Sequence, residues 1–299
     1  MEIYQLKTFL AVADAGSFSL ASKRLGRTQS AISQQIKALE DELQVPVFVR
    51  NFRDVSLTEA GSSLVPFAKG IINMNSNAKD SIAALAGRVE GELNIGVGFA
   101  IEPYIRKALV EMMRLYPHVR INVIYSRAAV LNQLLAEHKI DLAFTMNDSY
   151  QCEGIVSKPL IPIRICAILP KTHTLAEHKL LSYDDITKHY VIMPDAGDRI
   201  YSTIQKRANI DLRKLRIRAV INDADAILNL VEETGMITFL PSHYIADRPS
   251  LKAIPIECMQ QEFVSNVHWM ADTYQKKSAE VFIKLIEDFA IPYFKSIKF

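Results

Sequence analysis

Over the first forty-odd positions of the chain, apolar residues recur at helical spacing. Leu6, Phe9, Leu10 and Ala13 form one stripe that Gly16 closes. After Ser17, a second and shorter stripe of Phe18, Ala21 and Leu25 ends at Gly26. The third begins at Thr28, a side chain suited to capping a helix, and puts Ile32, Ile36, Leu39 and Leu43 on one edge. Two helices joined by a tight turn containing Gly, the second polar on its outer face, have the layout of a helix-turn-helix. Beyond Pro46, VFVRNFRDVSL alternates as two short strands around Asn51 to Asp54, the pattern of a wing.

From Thr58 to about Arg88 the texture changes to one long helix. Leu64, Ile71, Ala78 and Leu85 fall seven residues apart, with Phe67/Ala68, Met74/Asn75 and Ser81/Ile82 between them. Such a seam calls for a partner helix, so Leu64, Ile71, Ala78, Ile82 and Leu85 are the expected dimerisation residues. Pro66 is expected to bend this helix early, and Asn75 to fix register at some cost in stability. A helix packed on its own body stays open as the alternative, although nothing nearby in sequence supplies a matching stripe.

After Gly87, strands and helices alternate. ELNIGVG, RINVIYS and DLAFTM read as buried strands separated by helices around Ile105 to Tyr116 and Val130 to His138, which is a parallel α/β layer. RICAILP, YVIMP, IRAVIN and MITFLP make a second set, with helices near Asp198 to Ala208 and Ala224 to Glu233. The strand NVHWMAD and a helix from Ser278 to Ala290 return to the first set. The chain thus crosses twice between two lobes, leaving a cleft suited to a small ligand.

Composition changes this picture only slightly. With 299 residues, 49% of them apolar, the chain can bury a substantial core in two or three domains. A net charge of +2 does not announce a nucleic-acid binder, so any basic patch must be local. Between Ala15 and Leu39 the only charged residues are Lys23, Arg24, Arg27 and Lys37, all positive. Three cysteines, Cys152, Cys166 and Cys258, show no metal-ligand spacing, and an odd count fits a reducing compartment. The N-terminus lacks a signal-peptide layout and no run is long enough to span a bilayer, which places the protein in the cytoplasm. Neither cofactor nor metal is expected.

The run from Phe9 to Gly61, FLAVADAGSFSLASKRLGRTQSAISQQIKALEDELQVPVFVRNFRDVSLTEAG, resembles the N-terminal signature of the LysR-type transcriptional regulators. The order of later features is similar too: G-x-L-x-I-G from Gly91 to Gly96, Tyr116-Pro117, Asp141-Leu142-Ala143, and V-x-x-x-G…L-P from Val231 to Pro241. The resemblance implies a winged helix-turn-helix over 1–57, a dimerising linker helix over 58–90 and an effector-binding domain over 91–299. That last domain would comprise two Rossmann-like α/β lobes resembling periplasmic binding proteins, lobe I at about 91–163 and 267–299 and lobe II at about 164–266. Members are commonly homotetramers on bent promoter DNA that respond to a metabolite in the interlobe cleft, with RNA polymerase an open further partner.

At the DNA end, Arg24, Arg27 and the start of the third helix at Thr28 are expected to position phosphates. Gln29, Ser30, Ser33 and Gln34 would then project into the major groove, where amides pair with adenine and hydroxyls take either role. Lys37 adds a cation, and Arg50 and Arg53 in the wing reach phosphates or the minor groove. Gln35 is turned off the main face.

Many family members carry Ser or Thr after the first lobe strand, where this chain has Gly98, Phe99, Ala100 and Ile101. The same holds after the second strand, where it has Ser126, Arg127, Ala128 and Ala129. The departure speaks against a small dicarboxylate or aromatic-acid effector and for a more apolar pocket, with Arg127 as the anchor for an anion. Surface pairing of Arg127 and a core role for Phe99 remain alternatives. Across the cleft, Asp195, Gly197, Asp198 and Arg199 follow one strand and Asn222 and Asp223 another, at strand ends where ligands of open α/β sheets lie.

Two rival readings remain. A redox-sensing regulator would use Cys166 and Cys258, as family peroxide sensors use paired cysteines in the second lobe. A solute-binding or enzymatic α/β module is another. A dinucleotide site fails because Gly96-Val97-Gly98 is followed by Ile101 where a third glycine belongs. Neither H-E-x-x-H nor G-x-S-x-G occurs, so no enzyme is expected.

Overall fold

The computed structural model describes residues 1–50, 55–146, 154–195, 212–259, 263–271 and 275–296; the side chains of Arg50, Ala84, Leu212 and Ser296 also fall outside the description. The expected wing turn at 51–54 and the expected helix near 198–208 therefore lie outside the described residues. The chain divides into two compact units, Met1–Arg88 with Ala136–Lys139, and Val89–Leu135 with Ile140–Phe299. Among the described residues no helix is long and apolar enough to cross a membrane.

The first unit opens with α1 (Ile3–Ala15), α2 (Phe18–Leu25) and α3 (Gln29–Leu43). Ser17 caps α2 by accepting from the Leu20 amide, and Thr28 caps α3 by accepting from the Ala31 amide. Gly26 ends α2 at φ 61°, a left-handed conformation that a side chain would strain, and this permits the tight turn into α3. Leu6, Phe9 and Val12 of α1, Ala21 of α2 and Ile32, Ile36 and Leu39 of α3 are fully buried together. Each large side chain among them contributes roughly 1.5–3 kcal/mol by leaving water. The hairpin of β1 (Phe48–Arg50) and β2 (Val55–Leu57) joins this core through Phe48, whose ring lies 5.4 Å from Phe9 and 5.8 Å from Phe18.

A single helix, α4 (Glu59–Leu85), follows and runs through Pro66. Its first turns pass so close to the wing strand that a Cβ on Gly61 would sit 2.1 Å from the Val47 carbonyl oxygen. The helix carries two apolar stripes where one seam was expected. Leu64, assigned above to dimerisation, packs instead on the helix-turn-helix core with Val65, Ala68 and Ile72. The reason is local: the first turns of α4 must cover that core before the helix leaves it. Farther along, Phe67, Ile71, Met74, Ala78, Ile82 and Leu85 are all exposed, Ile82 at 69% and Leu85 at 88%.

The second unit holds two five-stranded sheets. Lobe I has the order β4-β3-β5-β12-β6, built from β3 (Gly91–Val97), β4 (Val119–Tyr125), β5 (Leu142–Met146), β6 (Ile155–Ile163) and β12 (Phe263–Met270). Helices α5 (Glu102–Leu115), α6 (Ala128–Ala136) and α9 (Lys277–Leu285) belong to it. Lobe II has the order β11-β7-β10-β8-β9, from β7 (Ile165–Pro170), β8 (Tyr190–Pro194), β9 (Arg216–Ile221), β10 (Ile237–Pro241) and β11 (Leu251–Ile254). Its helices are α7 (Tyr183–Thr187) and α8 (Ala224–Thr234).

The strands read as a parallel layer in lobe I, β3, β4 and β5, pair in parallel, and in lobe II so do β8, β9 and β10, whereas β7, counted with the second set, does not. β12 runs antiparallel to β5 and β6, and β7 antiparallel to β10 and β11. Mixed pairing follows from the double crossover, because the strands that carry the chain between lobes arrive from the opposite end. β6, which reads Ile155–Ile163 with prolines at 159 and 162, escaped the hydrophobic pattern; it lies at the sheet edge, where proline is tolerated. β12 begins at Phe263, ahead of the 267 expected for the return to lobe I. Helix α9 continues through a π-turn over Ile286–Ala290 into α10 (Ile291–Ser296), past the expected end.

Lobe I is pinned at its first strand by a buried ion pair. Lys276, only 6% exposed, sets its Nζ 2.9 Å from Asp141 Oδ1 and donates to the Glu92 carbonyl, while Asp141 also accepts from the Asn94 amide at 2.8 Å. Between lobes, His243 is 3% exposed and its Nε2 lies 2.8 Å from the Ala100 carbonyl oxygen. Burial lowers the His243 pKa from 6.5 to about 4, and burial lowers that of His268 as well.

Two outcomes follow. Gly61→Ala should cost about 2 kcal/mol of stability because the Val47 carbonyl cannot yield as a side chain would. A urea midpoint equal to wild type would show that the crossing relaxes freely. Because His243 binds its proton more weakly folded than unfolded, its stabilising contribution is complete above pH 6.5 and declines as pH falls toward 4. The loss should reach about 3 kcal/mol. His243→Gln should flatten the decline in unfolding free energy across that window, and an unaltered slope would count against it.

Candidate nucleic-acid interface and interlobe cleft

Sinking Ile32, Ile36 and Leu39 into the core leaves the other side of α3 with no choice but to face outward. Gln29, Ser30 and Gln34 are exposed there and Ser33 is half-buried. Lys23, Arg24, Arg27 and Lys37 are all exposed. The backbone amides at the start of α3 and these cations share one end of the helix-turn-helix, a setting that favours phosphate oxygens. Arg50 lies in β1 with its side chain outside the described residues, and Arg53 lies outside them altogether.

Two side chains take roles that spacing did not reveal, while Thr28 keeps the one expected of it. The Thr28 hydroxyl accepts from the Ala31 amide at 3.2 Å and lies 3.1 Å from Ser30 Oγ, and so caps α3. Gln35 accepts a 2.5 Å hydrogen bond from buried Thr8, which ties α3 to α1. Glu40, one of the acids that end the basic run, turns its Oε1 onto the Val47 amide at 2.9 Å and the Phe48 amide at 3.3 Å. That carboxylate fixes the wing to the reading helix. Only an acidic residue seven positions before a Pro-Val-Phe strand hinted at it.

The interlobe cleft assembles at strand ends. Phe99, Pro194, Ile221, Asn222, Asp223, Ala224, Ile227, Leu240 and Tyr244 surround a free volume of about 10 Å³, room for no more than one water. Phe99 and Asn222 therefore fall where the strand-end argument put them. Ala100 and Ile101 do not, because the 3-10 turn Phe99–Ile101 rolls them into the core at 5% and 0% exposure. The Gly98 amide donates to the Phe144 carbonyl at 2.7 Å, and the Ser126 amide donates to that of Val97 at 3.1 Å, so both serve backbone geometry. Ala128 opens α6 and does not line this space.

Asp223 lines the cleft, yet its carboxylate caps α8 by accepting from the Ala226 amide at 2.7 Å. Arg127 reaches Asp195 at 2.5 Å in an exposed ion pair, the surface pairing left open above. Asp198 and Arg199 lie outside the described residues. Tyr244, not singled out from sequence, donates its hydroxyl to the Phe99 carbonyl and so binds one lobe to the other. Its position directly after the strand MITFLP-Ser-His was the available signal.

The cysteines sit in settings that oppose thiolate formation. Burial pushes the Cys166 thiol up to about 11 despite the Arg164 cation nearby, and burial also raises Cys258. Redox sensors work through the opposite shift. Cys152 lies outside the described residues.

Residues 3–62 match the family model of the bacterial regulatory helix-turn-helix protein, lysR family, and residues 86–290 match that of the LysR substrate binding domain. A probable RuBisCO transcriptional regulator of Synechocystis is 27% identical over 289 residues, covering 94% of this chain and 84% of that protein. The HTH-type transcriptional regulator ShiR of Corynebacterium glutamicum is 29% identical over 304 residues, covering 99% of this chain and all of that protein. Among solved structures, a full-length OxyR variant from Pseudomonas aeruginosa has a TM-score of 0.70 at 18% identity, covering 96% of this chain and 94% of that one. Full-length CbnR complexed with its target DNA has a TM-score of 0.65 at 24% identity, covering 96% and 99%. The chain belongs to the LysR family of transcriptional regulators, DNA-binding proteins rather than enzymes, which act on promoter DNA, respond to small-molecule effectors and associate into oligomers.

Proposed function

We propose that this regulator reads its promoter with Gln29, Ser30, Ser33 and Gln34 of α3, oriented by phosphate contacts from Arg24, Arg27, Lys37, Arg50 and Arg53. The observation that carries the reading is the outward face of α3, polar and uncharged over its first two turns and backed by three fully buried aliphatic residues. Neutral donors and acceptors suit base edges, whereas cations alone would bind any sequence. The protein acts in the cytoplasm, where such promoters lie.

The exposed stripe from Phe67 to Leu85 on α4 supports pairing with a second copy through Ile71, Ala78, Ile82 and Leu85. Pairing is needed because one recognition helix contacts too few bases, while two read half-sites about one helical turn apart or a multiple of it. The cleft lining supports a largely apolar effector that reaches its site when the lobes part. An anionic group on that effector would have to displace Asp195 from Arg127, an exposed pair of modest strength. Such a ligand favours one lobe arrangement over the other, and regulation follows from that difference in affinity.

Ser33→Glu should abolish the specific footprint on the chain's own promoter while leaving the unfolding midpoint within error of wild type. A folded mutant with an unchanged footprint would refute the assignment of α3. Replacing both Ile82 and Leu85 with Glu should weaken self-association at least tenfold, since two charges cannot be buried in an apolar seam. Sedimentation equilibrium reads this directly, and an undiminished dimer would move the interface elsewhere.

A further inference from the structure

Helix α10 belongs by chain order to lobe I, since it continues α9 through the π-turn, yet its side chains touch both lobes. Phe294, 2% exposed, sets its ring centre 4.3 Å from that of Tyr104 in α5 and 5.9 Å from that of His243 in the lobe II turn. Tyr104 and His243 in turn meet edge-on at 4.7 Å, so two rings from lobe I and one from lobe II pack as a single cluster. Beside this cluster, Tyr293 donates its hydroxyl to Asp247 Oδ1 at 3.1 Å, and Arg106 of α5 donates to Asp247 Oδ2 at 3.2 Å. Asp247 stands in the connection from β10 to β11 of lobe II, whereas both donors come from lobe I. Lys107 Nζ lies 4.0 Å from the centre of the Tyr293 ring and holds it over α5.

The two layers of this junction differ in strength. The Phe294 ring is out of water and can move only when its neighbours on both lobes give way. The Asp247 side chain is half exposed, so its bonds exchange with water at little cost. Burial raises the Asp247 pKa, but the bonds from Arg106 and Tyr293 and the charge on Lys107 outweigh it and hold the carboxyl below its ordinary value. The carboxylate therefore keeps its charge at neutral pH. A buried ring under a weak polar bond suits a part that holds one arrangement and still opens, because segments that move are drawn from the less stable contacts of a fold.

We propose that α10 is a strap across the hinge, with Asp247 as its catch, and that it holds the lobes in the arrangement that closes the interlobe cleft. That cleft has room for no more than one water as it stands, so parting the lobes has to release Asp247 from its two lobe I donors. Release raises the population of the open arrangement, and with it the apparent affinity of whatever binds there. This last consequence rests on the reading that the effector enters when the lobes part; the strap itself does not.

Cys166 supplies a native reporter. It is buried and lines one cavity with Tyr104 and His243, the two rings that Phe294 holds, so the space around it widens when the lobes part. Cys258 is exposed and reacts in either arrangement. Alkylating the full chain with iodoacetamide under native conditions, and quantifying both cysteines by peptide mass spectrometry, gives the rate at Cys166 relative to Cys258. Asp247→Asn and Tyr293→Phe, which each remove part of the catch, should raise that rate about fivefold. Phe294→Leu should raise it about tenfold. Glu280→Gln, which breaks an exposed ion pair with Lys277 inside lobe I, should leave it unchanged. The gain should not depend on low urea, since parting two lobes exposes far less surface than unfolding does. Rates equal to wild type in both catch variants would overturn the proposal, as would an equal gain in Glu280→Gln or a gain that steepens with urea as global unfolding does. The measurement uses neither effector nor DNA, so failure here is distinguishable from failure of the effector and promoter readings.

Discussion

Burial of one edge of α3 is the constraint on which the DNA-facing end depends. Ile32, Ile36 and Leu39 lose all contact with water against α1 and α2, and a helix held so firmly along one side presents the other side in a fixed rotation. Discrimination between base pairs requires that rotation, because a side chain displaced by even half a turn meets phosphate instead of a base edge. The Gln35–Thr8 hydrogen bond and the Glu40 carboxylate on the wing amides hold the same orientation at the middle and far end of the helix. A polar face alone would only be soluble. A rigid floor behind it is what lets it serve in the proposed base reading.

The long helix serves two masters for a similar reason. Its early turns are pressed onto the same core, with Gly61 permitting an approach that any side chain would forbid. Once past that core, the helix keeps an apolar stripe that nothing in its own unit covers. Exposed Phe67, Ile82 and Leu85 would be a liability in a lone monomer, which is what supports the proposal that this stripe meets a second copy.

In the effector unit, one short 3-10 turn supplies two neighbouring contacts between the lobes. The carbonyls of Phe99 and Ala100 accept from Tyr244 and His243, adjacent residues of lobe II, so both bonds sense the same hinge. Small rotations of the lobes must stretch or bend them together.

Much of this was legible beforehand. Helical stripes, the cap at Thr28, the glycine stops and most of the buried strands were readable locally, because 3.6- and 2-residue repeats record which face is wet. Asp141 could be recognised as part of a motif, but only the fold revealed why: its carboxylate meets Lys276, 135 residues away. Leu64 and Leu85 occupy equivalent heptad positions, yet one packs inward and the other stays exposed, since what covers a stripe depends on residues distant in sequence. The same limit explains why Ala100 and Ile101 were assigned to a ligand and Tyr244 overlooked. By itself the sequence determined most helices and strands, the proline-bearing β6 excepted, and which faces are apolar, for these are properties of neighbours along the chain. The tertiary structure alone decided the direction of β7 and β12, which stripe is satisfied at home and which side chains meet across the hinge, because those depend on where the chain returns.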